Sequence, residues 1–262
     1  MIDIHSHILP GVDDGAPTNE VALRELRTFY NNGVREVILT PHFVKGHYQV
    51  SPATFDKKLK NLKFKLLEEG ISLKFHKGAE IYADSEILKE IKPYSLNLAD
   101  SNYVLIETDL TSIPETFYQV LYQLQKKRYY VILAHPERYN DVIKDFTVLE
   151  NLFYREVYFQ VNAGSLIGLY GQAIQKTAWK IIKNRYAHFL ASDSHCWSNN
   201  FHLGEAIEQI KDCLDEDYIE DLIVKNPQRI INNQKIDFFK NKNLQKKPKS
   251  FFEKILKLLK VI

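Results

Sequence analysis

Long apolar segments are missing from this sequence: none approaches the roughly 20 residues that a transmembrane helix requires. The basic patch and apolar run of a secretory signal peptide are missing too, because histidines and aspartates stand where they would be. Cysteine is scarce as well. Cys196 and Cys213 offer at most one disulfide, and a reducing compartment explains them more simply. We therefore expect a cytosolic protein.

A strong excess of positive charge is absent from most of the chain. The net charge at pH 7 is +2, but nine lysines against Asp237 and Glu253 lie from residue 235 onward. The remainder of the chain therefore carries a small excess of negative charge. Nucleic-acid binding by this main part is not indicated, because such proteins present a basic surface to the phosphates.

The order of apolar segments predicts the fold class. The 262 residues, of which 45% are hydrophobic, suffice for the core of one large domain or two small ones. Short β-branched and aromatic runs alternate with amphipathic helical segments, the pattern of parallel β/α units. The strands are predicted at residues 2–7, 36–42, 73–81, 103–107, 130–135, 158–162 and 187–193. The helices are predicted at residues 19–32, 54–69, 114–128, 146–155, 171–184, 203–213 and 218–225, with a last short one from Asn226.

Two glycines mark helix ends in this pattern. Gly33 and Gly70 follow the first and second helices, where a left-handed cap residue is wanted. The seven strand–helix repeats are one fewer than a complete (β/α)8 barrel contains. The sequence therefore predicts an α/β protein with a distorted (β/α)7 TIM-like barrel, in preference to an open sheet.

The end of the chain differs from the rest, so we divide it into a barrel domain at 1–234 and a basic linker with an amphipathic helix at 235–262. Residues 240–250 are polar and lysine-rich. The capping-box spacing of Ser250 and Glu253 then opens a helix from Phe251 to Ile262. One broad apolar face and a lysine face are typical of a helix lying on an anionic membrane surface. Docking of the apolar face on the barrel or on a second subunit is the alternative.

Polar residues that are unusual for a core cluster at the carboxyl ends of the predicted strands, the rim on which a β/α barrel builds its active site. A strand turns residues i and i+2 to the same side, so His5 converges with His7, and Asp193 with His195. The site candidates at these ends are His5, His7, His42, Glu80, Glu107, His135, Asp193 and His195. The other histidines, His47, His76, His188 and His202, lie away from strand ends and are interpreted as ordinary residues.

Taken together, these side chains predict a metal site, although each alone is explained as a core or salt-bridge residue. Unpaired buried charges cost several kcal/mol each, so burying this set without a cation would be very unfavourable. The set mixes imidazoles and carboxylates without a thiolate and exceeds what one tetrahedral ion needs. Two or three Mn²⁺, Fe or Zn²⁺ ions bridged by carboxylates are therefore expected.

Several segments resemble a known family. They are Met1-Ile-Asp-Ile-His-Ser-His-Ile-Leu-Pro-Gly-Val-Asp-Asp-Gly15, Thr40-Pro-His42, Gly78-Ala-Glu80, His135-Pro-Glu-Arg138 and Ser192-Asp-Ser-His195. In order and spacing they resemble the polymerase-and-histidinol-phosphatase (PHP) superfamily over about residues 1–233. The Leu-Pro-Gly-Val-Asp-Asp-Gly segment is most similar to the CpsB/CapC-type metal-dependent bacterial protein-tyrosine phosphatases.

The resemblance implies a seven-stranded barrel with a trinuclear, manganese-favouring centre that hydrolyses phosphotyrosine by a metal-bridged hydroxide. By position, the implied ligand groups are His5, His7, Glu80 and Asp193; Glu80, Glu107 and His135; and Asp14, His42 and His195. It also implies that Arg138 binds the phosphate and that Asp13 is the less favoured ligand of its pair. Asp14, His42 and His195 are further candidates for supplying a proton.

The chain departs from the family pattern in one place. Relatives often carry an arginine shortly after the Asp-x-His pair, whereas residues 196–202 read Cys-Trp-Ser-Asn-Asn-Phe-His, so a second phosphate-binding arginine is missing there. Cysteine-dependent phosphatase chemistry is excluded. It needs an arginine six positions after the cysteine, and the sequence places His202 and Ile219 at those positions.

The resemblance further implies that the substrate is the tyrosine-rich tail of a membrane-bound tyrosine autokinase that controls capsule or exopolysaccharide export. The enzyme would then act in the cytoplasm, peripherally at the inner membrane face. One alternative is a small-molecule phosphoesterase such as a histidinol phosphatase. A second is a non-catalytic, metal-stabilised scaffold held at the membrane or the kinase by the basic tail. The apolar tail face also permits an oligomer.

Overall fold

Parallel strands alternate with helices along the chain in the computed structural model, which describes residues 1–196 and 201–240. The strands are β1 (Ile2–Asp3), β2 (Glu36–Leu39), β3 (His42–Phe43), β4 (Lys74–Lys77), β5 (Glu80–Tyr82), β6 (Tyr103–Glu107), β7 (Tyr130–Ala134), β8 (Tyr158–Asn162) and β9 (Phe189–Ala191). They form two sheets with the orders β1-β2-β4 and β3-β5-β6-β7-β8-β9. Every strand pairing in these sheets is parallel, as the β/α pattern predicted.

Helices follow most of the strands. They are α1 (Asn19–Asn31), α2 (Pro52–Glu68), α3 (Ile87–Tyr94), α4 (Glu115–Lys126), α5 (Asn140–Lys144), α6 (Thr147–Tyr154), α7 (Ala163–Leu166), α8 (Gln172–Lys183), α9 (His202–Lys211), α10 (Glu216–Glu220) and α11 (Asn226–Ile231). A single π-helical turn, Asp221–Lys225, joins α10 to α11. The sequence did not predict α3, α5 or α7, and α3 carries a proline in its last turn.

The predicted glycine caps are confirmed. Gly33 and Gly70 follow α1 and α2 with φ of 87° and 72°, in the left-handed region that glycine enters without steric cost.

Two of the seven predicted strands are each broken into two segments. The predicted strand at 36–42 becomes β2 and β3, because Pro41 at the break has no N–H to donate to a neighbouring strand. The predicted strand at 73–81 becomes β4 and β5 around Gly78, where an added Cβ would lie 2.7 Å from Leu98 Cδ2. The chain therefore makes the seven predicted passes, with two distortions, and the α/β barrel prediction is confirmed.

The seam between the first and last passes closes the barrel. Beyond β1 and β9, Ser6 and Ser194 form a parallel bridge, and the Asp193 amide donates to the carbonyl of His5 over 2.9 Å. Asp3, which is fully buried, accepts hydrogen bonds from the Ser192 amide at 3.0 Å and the Ser192 hydroxyl at 2.6 Å. The two ends of the sequence that carry the His-x-His and Asp-x-His pairs are thereby held side by side.

The core is formed by the strands, which are largely buried except for β4, and by the inward faces of the helices. A large cluster centred on β6, β7 and β8 fills most of the barrel. A second cluster lies between α1, α2 and β2. Burial on both faces explains why the central strands read as continuous apolar runs.

A strap at residues 234–240 seals the amino-terminal end of the barrel. Tyr103 Oη donates to the carbonyl of Gln234 at 3.0 Å and accepts from the Ile236 amide at 2.8 Å. Ile236 and Phe238 are 2% and 7% exposed, within the main core. Packing on the barrel therefore continues beyond residue 234, because these two apolar side chains interrupt the basic segment.

The rest of the predicted linker and the helix from Phe251 to Ile262 lie outside the described residues. Within the part of the chain that is described, no helix has both the length and the apolar character needed to cross a membrane.

A buried histidine beneath the strap makes stability depend on pH. His188 Nδ1 accepts from the Phe159 amide at 3.1 Å, and its Nε2 faces the Phe238 carbonyl at 3.3 Å. Burial lowers the pKa of His188 from 6.5 to about 3. The folded protein therefore keeps the ring neutral where the unfolded chain protonates it, so stability is lost as the pH falls from 6.5 towards 3.

We predict that His188→Asn is less stable than the wild type at pH 7 but loses less stability on acidification. Between pH 7 and pH 5 this histidine should cost the wild type about 2 kcal/mol, and the variant should lack that loss. Urea unfolding of both proteins at the two pH values measures it. Equal losses in both proteins would contradict the assignment.

Candidate metal centre

The structure brings all nine predicted ligand residues to the carboxyl end of the barrel. Eight come from strand ends, and Asp14 comes from the loop after the first pass. They are His5, His7, Asp14, His42, Glu80, Glu107, His135, Asp193 and His195. Most of them line a cavity of about 150 Å³ together with Arg138, Tyr170 and Leu110, while His5 and His7 lie buried beneath it.

The ligand atoms form three adjoining groups, in each of which they lie within 4.8 Å of one another. These groups are His5, His7, Glu80 and Asp193; His7, Asp14, His42 and His195; and His42, Glu80 and Glu107. His7, His42 and Glu80 each belong to two groups. The sequence-based grouping placed His135 with Glu80 and Glu107, and His135 Nε2 does lie 2.9 Å from Glu80 and 3.9 Å from Glu107.

The first group is the most buried. Its two imidazoles meet at Nε2, 3.1 Å apart, and Glu80 Oε2 lies 3.2 Å from each of them. Asp193 Oδ1 lies 3.2 Å from His5 Nε2 and has no hydrogen-bond partner in this buried position. Four possible ligand atoms therefore converge on one point.

The opposite ring nitrogens of the two imidazoles are held by other residues. His5 Nδ1 faces Gln160 Oε1 at 2.8 Å, and His7 Nδ1 faces Asp13 Oδ2 at 2.8 Å. Such contacts place the ring proton on Nδ1 and leave the Nε2 lone pair free for a metal ion.

Electrostatics supports the same interpretation. Burial alone would lower the pKa of His5, but the carboxylates of Glu80 and Asp193 outweigh it and raise that pKa to about 9. Burial would likewise raise the pKa of Glu80, yet the charge of His5 and the hydrogen bond from His135 hold it well below its usual value. The site thus carries an excess of negative charge that protons on the imidazoles offset. Divalent cations would replace those protons.

A tight loop directs the acidic pair at residues 13 and 14 into the site. Gly15 lies so close to His7 that an added Cβ would be 1.9 Å from the His7 carbonyl oxygen. The Ala16 amide donates to that same oxygen at 2.9 Å. Only glycine permits this approach, which explains the Asp-Asp-Gly motif.

The two acidic side chains then do different things. The Asp13 carboxylate is hydrogen-bonded to His7 Nδ1 and accepts from the amides of Gly15 and His42. Asp14 lies at the mouth of the cavity, where it opens to solvent, 3.4 Å from His42 Nε2 and 3.5 Å from His195 Nε2.

Backbone strain coincides with the site at two strand ends. His135 and Asp193 have positive φ values of 35° and 50°, in the left-handed region that costs non-glycine residues free energy. The turn after His135 places Arg138 at the cavity rim, with Nη1 3.4 Å from Asp193 Oδ2. The Arg138 guanidinium lies over the Tyr170 ring, 4.8 Å from its centroid.

Sequence reasoning missed the positioning residues on β8. Gln160 Nε2 donates to Asn162 Oδ1 at 2.8 Å, and Asn162 Nδ2 donates to Asp193 Oδ2 at 2.5 Å. This chain of amides links His5 to Asp193 below the cavity. The sequence signal of this chain of amides is a glutamine and an asparagine, separated by one residue, inside an otherwise apolar strand that is buried.

The cysteines lie apart from the ligand groups. Cys213 is exposed and follows the end of α9, and Cys196 is buried. Burial raises the pKa of the Cys196 thiol to about 12, so this thiol is not a reactive thiolate.

The donor set fits divalent cations. It combines neutral imidazole nitrogens with carboxylates, and two of the buried atoms, Asp193 Oδ1 and His135 Nδ1, lack hydrogen-bond partners. Oxygen and imidazole donors without sulfur suit manganese, iron or zinc.

Comparison with known proteins adds the family. Residues 1–232 match the profile described as "Capsular polysaccharide synthesis, CpsB/CapC". The tyrosine-protein phosphatase YwqE of Bacillus subtilis is 32% identical over 241 residues, 90% of this chain and 93% of that protein. The putative tyrosine-protein phosphatase CapC of Staphylococcus aureus is also 32% identical, over 90% of this chain and 93% of its own length.

A solved structure gives the same relationship in three dimensions. The crystal structures of YwqE from Bacillus subtilis and CpsB from Streptococcus pneumoniae are described as those of unique metal-dependent tyrosine phosphatases. The matching chain has a TM-score of 0.83 and 32% identity, and the match covers 90% of this chain and 96% of that one.

We predict that Asp13→Ala binds metal more weakly without removing a ligand. Loss of the acceptor for His7 Nδ1 should lower the affinity for Mn²⁺ about 10- to 100-fold, the usual effect of removing an orienting carboxylate. Calorimetric titration of the metal-free protein measures it, with the exposed Asp217→Ala on α10 as a matched control. Wild-type affinity in Asp13→Ala would show that this carboxylate does not orient the ligand.

Proposed function

Because this chain belongs to the CpsB/CapC family of capsular polysaccharide synthesis, we propose that it is a metal-dependent phosphotyrosine-protein phosphatase. The observation that carries the proposal is the set of three adjoining imidazole and carboxylate groups beneath a cavity with one arginine at its rim. Relatives that are 32% identical over nine tenths of the chain are named as tyrosine-protein phosphatases.

We assign the ligands by combining the family pattern with the geometry. One ion would be held by His5, His7, Glu80 and Asp193, the second by Glu80, Glu107 and His135, and the third by Asp14, His42 and His195. The proposed metal is Mn²⁺, with Fe and Zn²⁺ as the other ions that such donors accept. Asp13, Gln160 and Asn162 orient these ligands.

Bound cations would supply Lewis-acid polarisation of the phosphoryl oxygens and an acidified water at neutral pH. The protein contributes the rest. Arg138 presents a planar guanidinium to the equatorial phosphoryl oxygens, where negative charge is borne in the transition state. Asp193 and Tyr170 hold that guanidinium from two sides, so that little reorganisation is needed on binding.

The leaving group makes modest demands on acid catalysis. Tyrosine has a pKa of about 10, so its oxygen departs as a phenolate more readily than an alkyl alkoxide would. His195, His42 and Asp14 lie at the cavity mouth, and any of them that is not bound to a metal ion would be able to deliver a proton to the departing oxygen.

The proposed partner is a phosphotyrosine-bearing protein, a membrane-bound bacterial tyrosine autokinase of capsule or exopolysaccharide synthesis. Support comes from the family, which is described by capsular polysaccharide synthesis. A cavity of about 150 Å³ admits the end of one side chain, so a phosphotyrosine on a flexible tail suits it. A small-molecule phosphoesterase of the histidinol-phosphatase kind is the second candidate, because the same volume also admits a phosphorylated metabolite.

We predict that the Mn²⁺-loaded protein hydrolyses phosphotyrosyl peptides and that the His5→Ala, His7→Ala double variant loses about three orders of magnitude in kcat/KM. Phosphate release measures turnover, and elemental analysis measures the bound metal, which should fall in parallel. His76→Ala is the matched control, since His76 pairs with Glu36 away from the cavity. Full activity in the double variant would refute the metal mechanism.

Histidinol phosphate assayed in parallel separates the two enzyme candidates. Faster turnover of histidinol phosphate than of the peptide favours the small-molecule enzyme. Bound metal without turnover of any aryl phosphate favours a non-catalytic scaffold.

For the tail we propose peripheral contact with an anionic membrane through the segment from Phe251 to Ile262, supported by its apolar face and interspersed lysines. The full chain should bind vesicles containing anionic lipid, and binding should weaken as salt rises. A variant ending at residue 239 should not bind. Equal sedimentation of both proteins with the vesicles, or none for either, would instead favour docking of the tail on protein.

A further inference from the structure

The lining of the metal cavity is almost entirely polar. Apart from two residues, every described side chain that lines it is an imidazole, a carboxylate or the Arg138 guanidinium. The exceptions are Leu110, in the loop after β6, and Tyr170, in the loop between α7 and α8. Among the described residues that line this cavity, Leu110 and Tyr170 are therefore the ones that offer an apolar surface to a leaving group.

The loop that carries Tyr170 is held in place. Gly168 and Gly171 have φ values of 87° and 96°, which bend the chain sharply on either side of Tyr170. The Leu169 amide donates to the Gly164 carbonyl at 2.9 Å. An added Cβ on Gly164 would lie 3.2 Å from Tyr170 Cε2, so the ring rests directly against that backbone.

Side chains of α8 secure the same loop from the other direction. Gln175 Nε2 and Trp179 Nε1 both donate to the carbonyl of Leu166, at 2.9 and 3.1 Å. The Tyr170 ring is therefore a fixed wall of the cavity mouth.

Tyr170 also acts on the phosphate-binding group. Its ring lies under the Arg138 guanidinium, with 4.8 Å between the guanidinium carbon and the ring centroid. That distance is within the range of a cation–π contact. One side of the cavity mouth thus carries the Arg138 guanidinium, which can bind the phosphoryl group, and next to it the aromatic ring of Tyr170.

The size of the cavity limits how a substrate enters. Apolar cavities of about 150 Å³ take up benzene, so this one holds a group of that size. A phosphotyrosine must place its phosphoryl group against the proposed metal ligands at the bottom of the cavity. Its ring then occupies the mouth of the cavity. An alkyl phosphoester would leave the apolar surface of the mouth uncovered.

We propose that Tyr170, together with Leu110, forms an aryl-recognition wall that selects phosphotyrosine over alkyl phosphoesters. This inference rests on the proposed function, since it names the specificity element of the same site. Tyr170 acts in two separable ways: its ring packs against the substrate ring, and it holds Arg138 for the phosphate. The first sets selectivity between phosphoesters, and the second sets affinity for all of them.

The test compares two phosphonates, which carry an unhydrolysable carbon–phosphorus bond. Phenylphosphonate and methylphosphonate are titrated calorimetrically into the Mn²⁺-loaded wild type, Tyr170→Phe, Tyr170→Leu and the neighbouring control Leu169→Ala. Only the ratio of the two affinities is compared between proteins, so the different acidities of the phosphonates cancel.

We expect phenylphosphonate to bind more tightly than methylphosphonate, and by the same factor, in the wild type and in the variants Tyr170→Phe and Leu169→Ala. Tyr170→Leu should reduce that factor about three- to tenfold, the usual effect of losing an aromatic pair. It should also weaken both ligands together, because Arg138 loses its support. Elemental analysis should give the same metal content for all four proteins.

Three results would overturn the inference, and they are distinguishable. An unchanged ratio in Tyr170→Leu refutes the wall but leaves the phosphatase proposal standing, provided the wild type binds phosphonates and hydrolyses phosphotyrosyl peptides. A wild type that binds neither phosphonate refutes the proposed phosphoryl site, and the wall with it. If Leu169→Ala reduces the ratio of the two affinities as much as Tyr170→Leu does, the selectivity belongs to the loop as a whole and the role given to Tyr170 is refuted.

Discussion

The closure of the barrel between its first and last strands is the constraint on which the site depends. Asp3 and Ser192 are 189 positions apart in sequence, yet the hydrogen bonds between them and the Ser6–Ser194 bridge place the two segments in contact. Half of the most buried ligand group comes from the first strand, and Asp193 comes from the last pass. Loop closure over such a distance carries a large entropic cost, which the neighbouring strand pairings must offset. Metal binding and closure of the barrel are therefore linked through the same seam.

A second consequence follows from the charge that the seam encloses. Glu80 and Asp193 are buried and ionised, and the imidazoles around them take up protons to compensate. Without a cation, this arrangement opposes folding through the desolvation of several charges at once. With cations bound, the same desolvation strengthens each ligand contact, because the local dielectric constant is low. Gln160 and Asp13 hold the rings of His5 and His7, and Asn162 holds the Asp193 carboxylate, so the ligand atoms converge before any ion binds.

Sequence reasoning located the ligands because strand geometry is periodic. Alternation of side chains predicts that His5 and His7, or Asp193 and His195, share a face, and parallel strands end at one rim. The breaks at Pro41 and Gly78 do not change which rim of the barrel the following residues reach. The predicted convergence of these side chains therefore holds, although two strands were predicted without their breaks.

Other features could not be predicted in this way. Gln160 and Asn162 sit within a buried strand, where their partners depend on contacts across the barrel. The separate tasks of Asp13 and Asp14 depend on a loop that turns tightly at Gly15, and the pattern of residues alone does not resolve them. Helix α3 is short and carries Pro93, a residue that disfavours a helix interior, so its sequence argues against the helix that the structure shows.

The position of the strap adds a geometrical constraint on how the enzyme meets its substrate. Residues 234–236 bond to Tyr103 and Tyr158, at the amino-terminal ends of β6 and β8, whereas the ligands lie at the opposite ends of the strands. Lys240, the last described residue, therefore lies on the side of the barrel away from the cavity. Residues 241–250 span at most about 35 Å when fully extended. A tail held at a membrane, as proposed above, would place Lys240 within about that distance of the surface, while the cavity opens on the opposite side of the barrel. A phosphotyrosine could then reach the site only on a segment long enough to pass around the barrel, which suits a flexible tail better than a rigid domain surface.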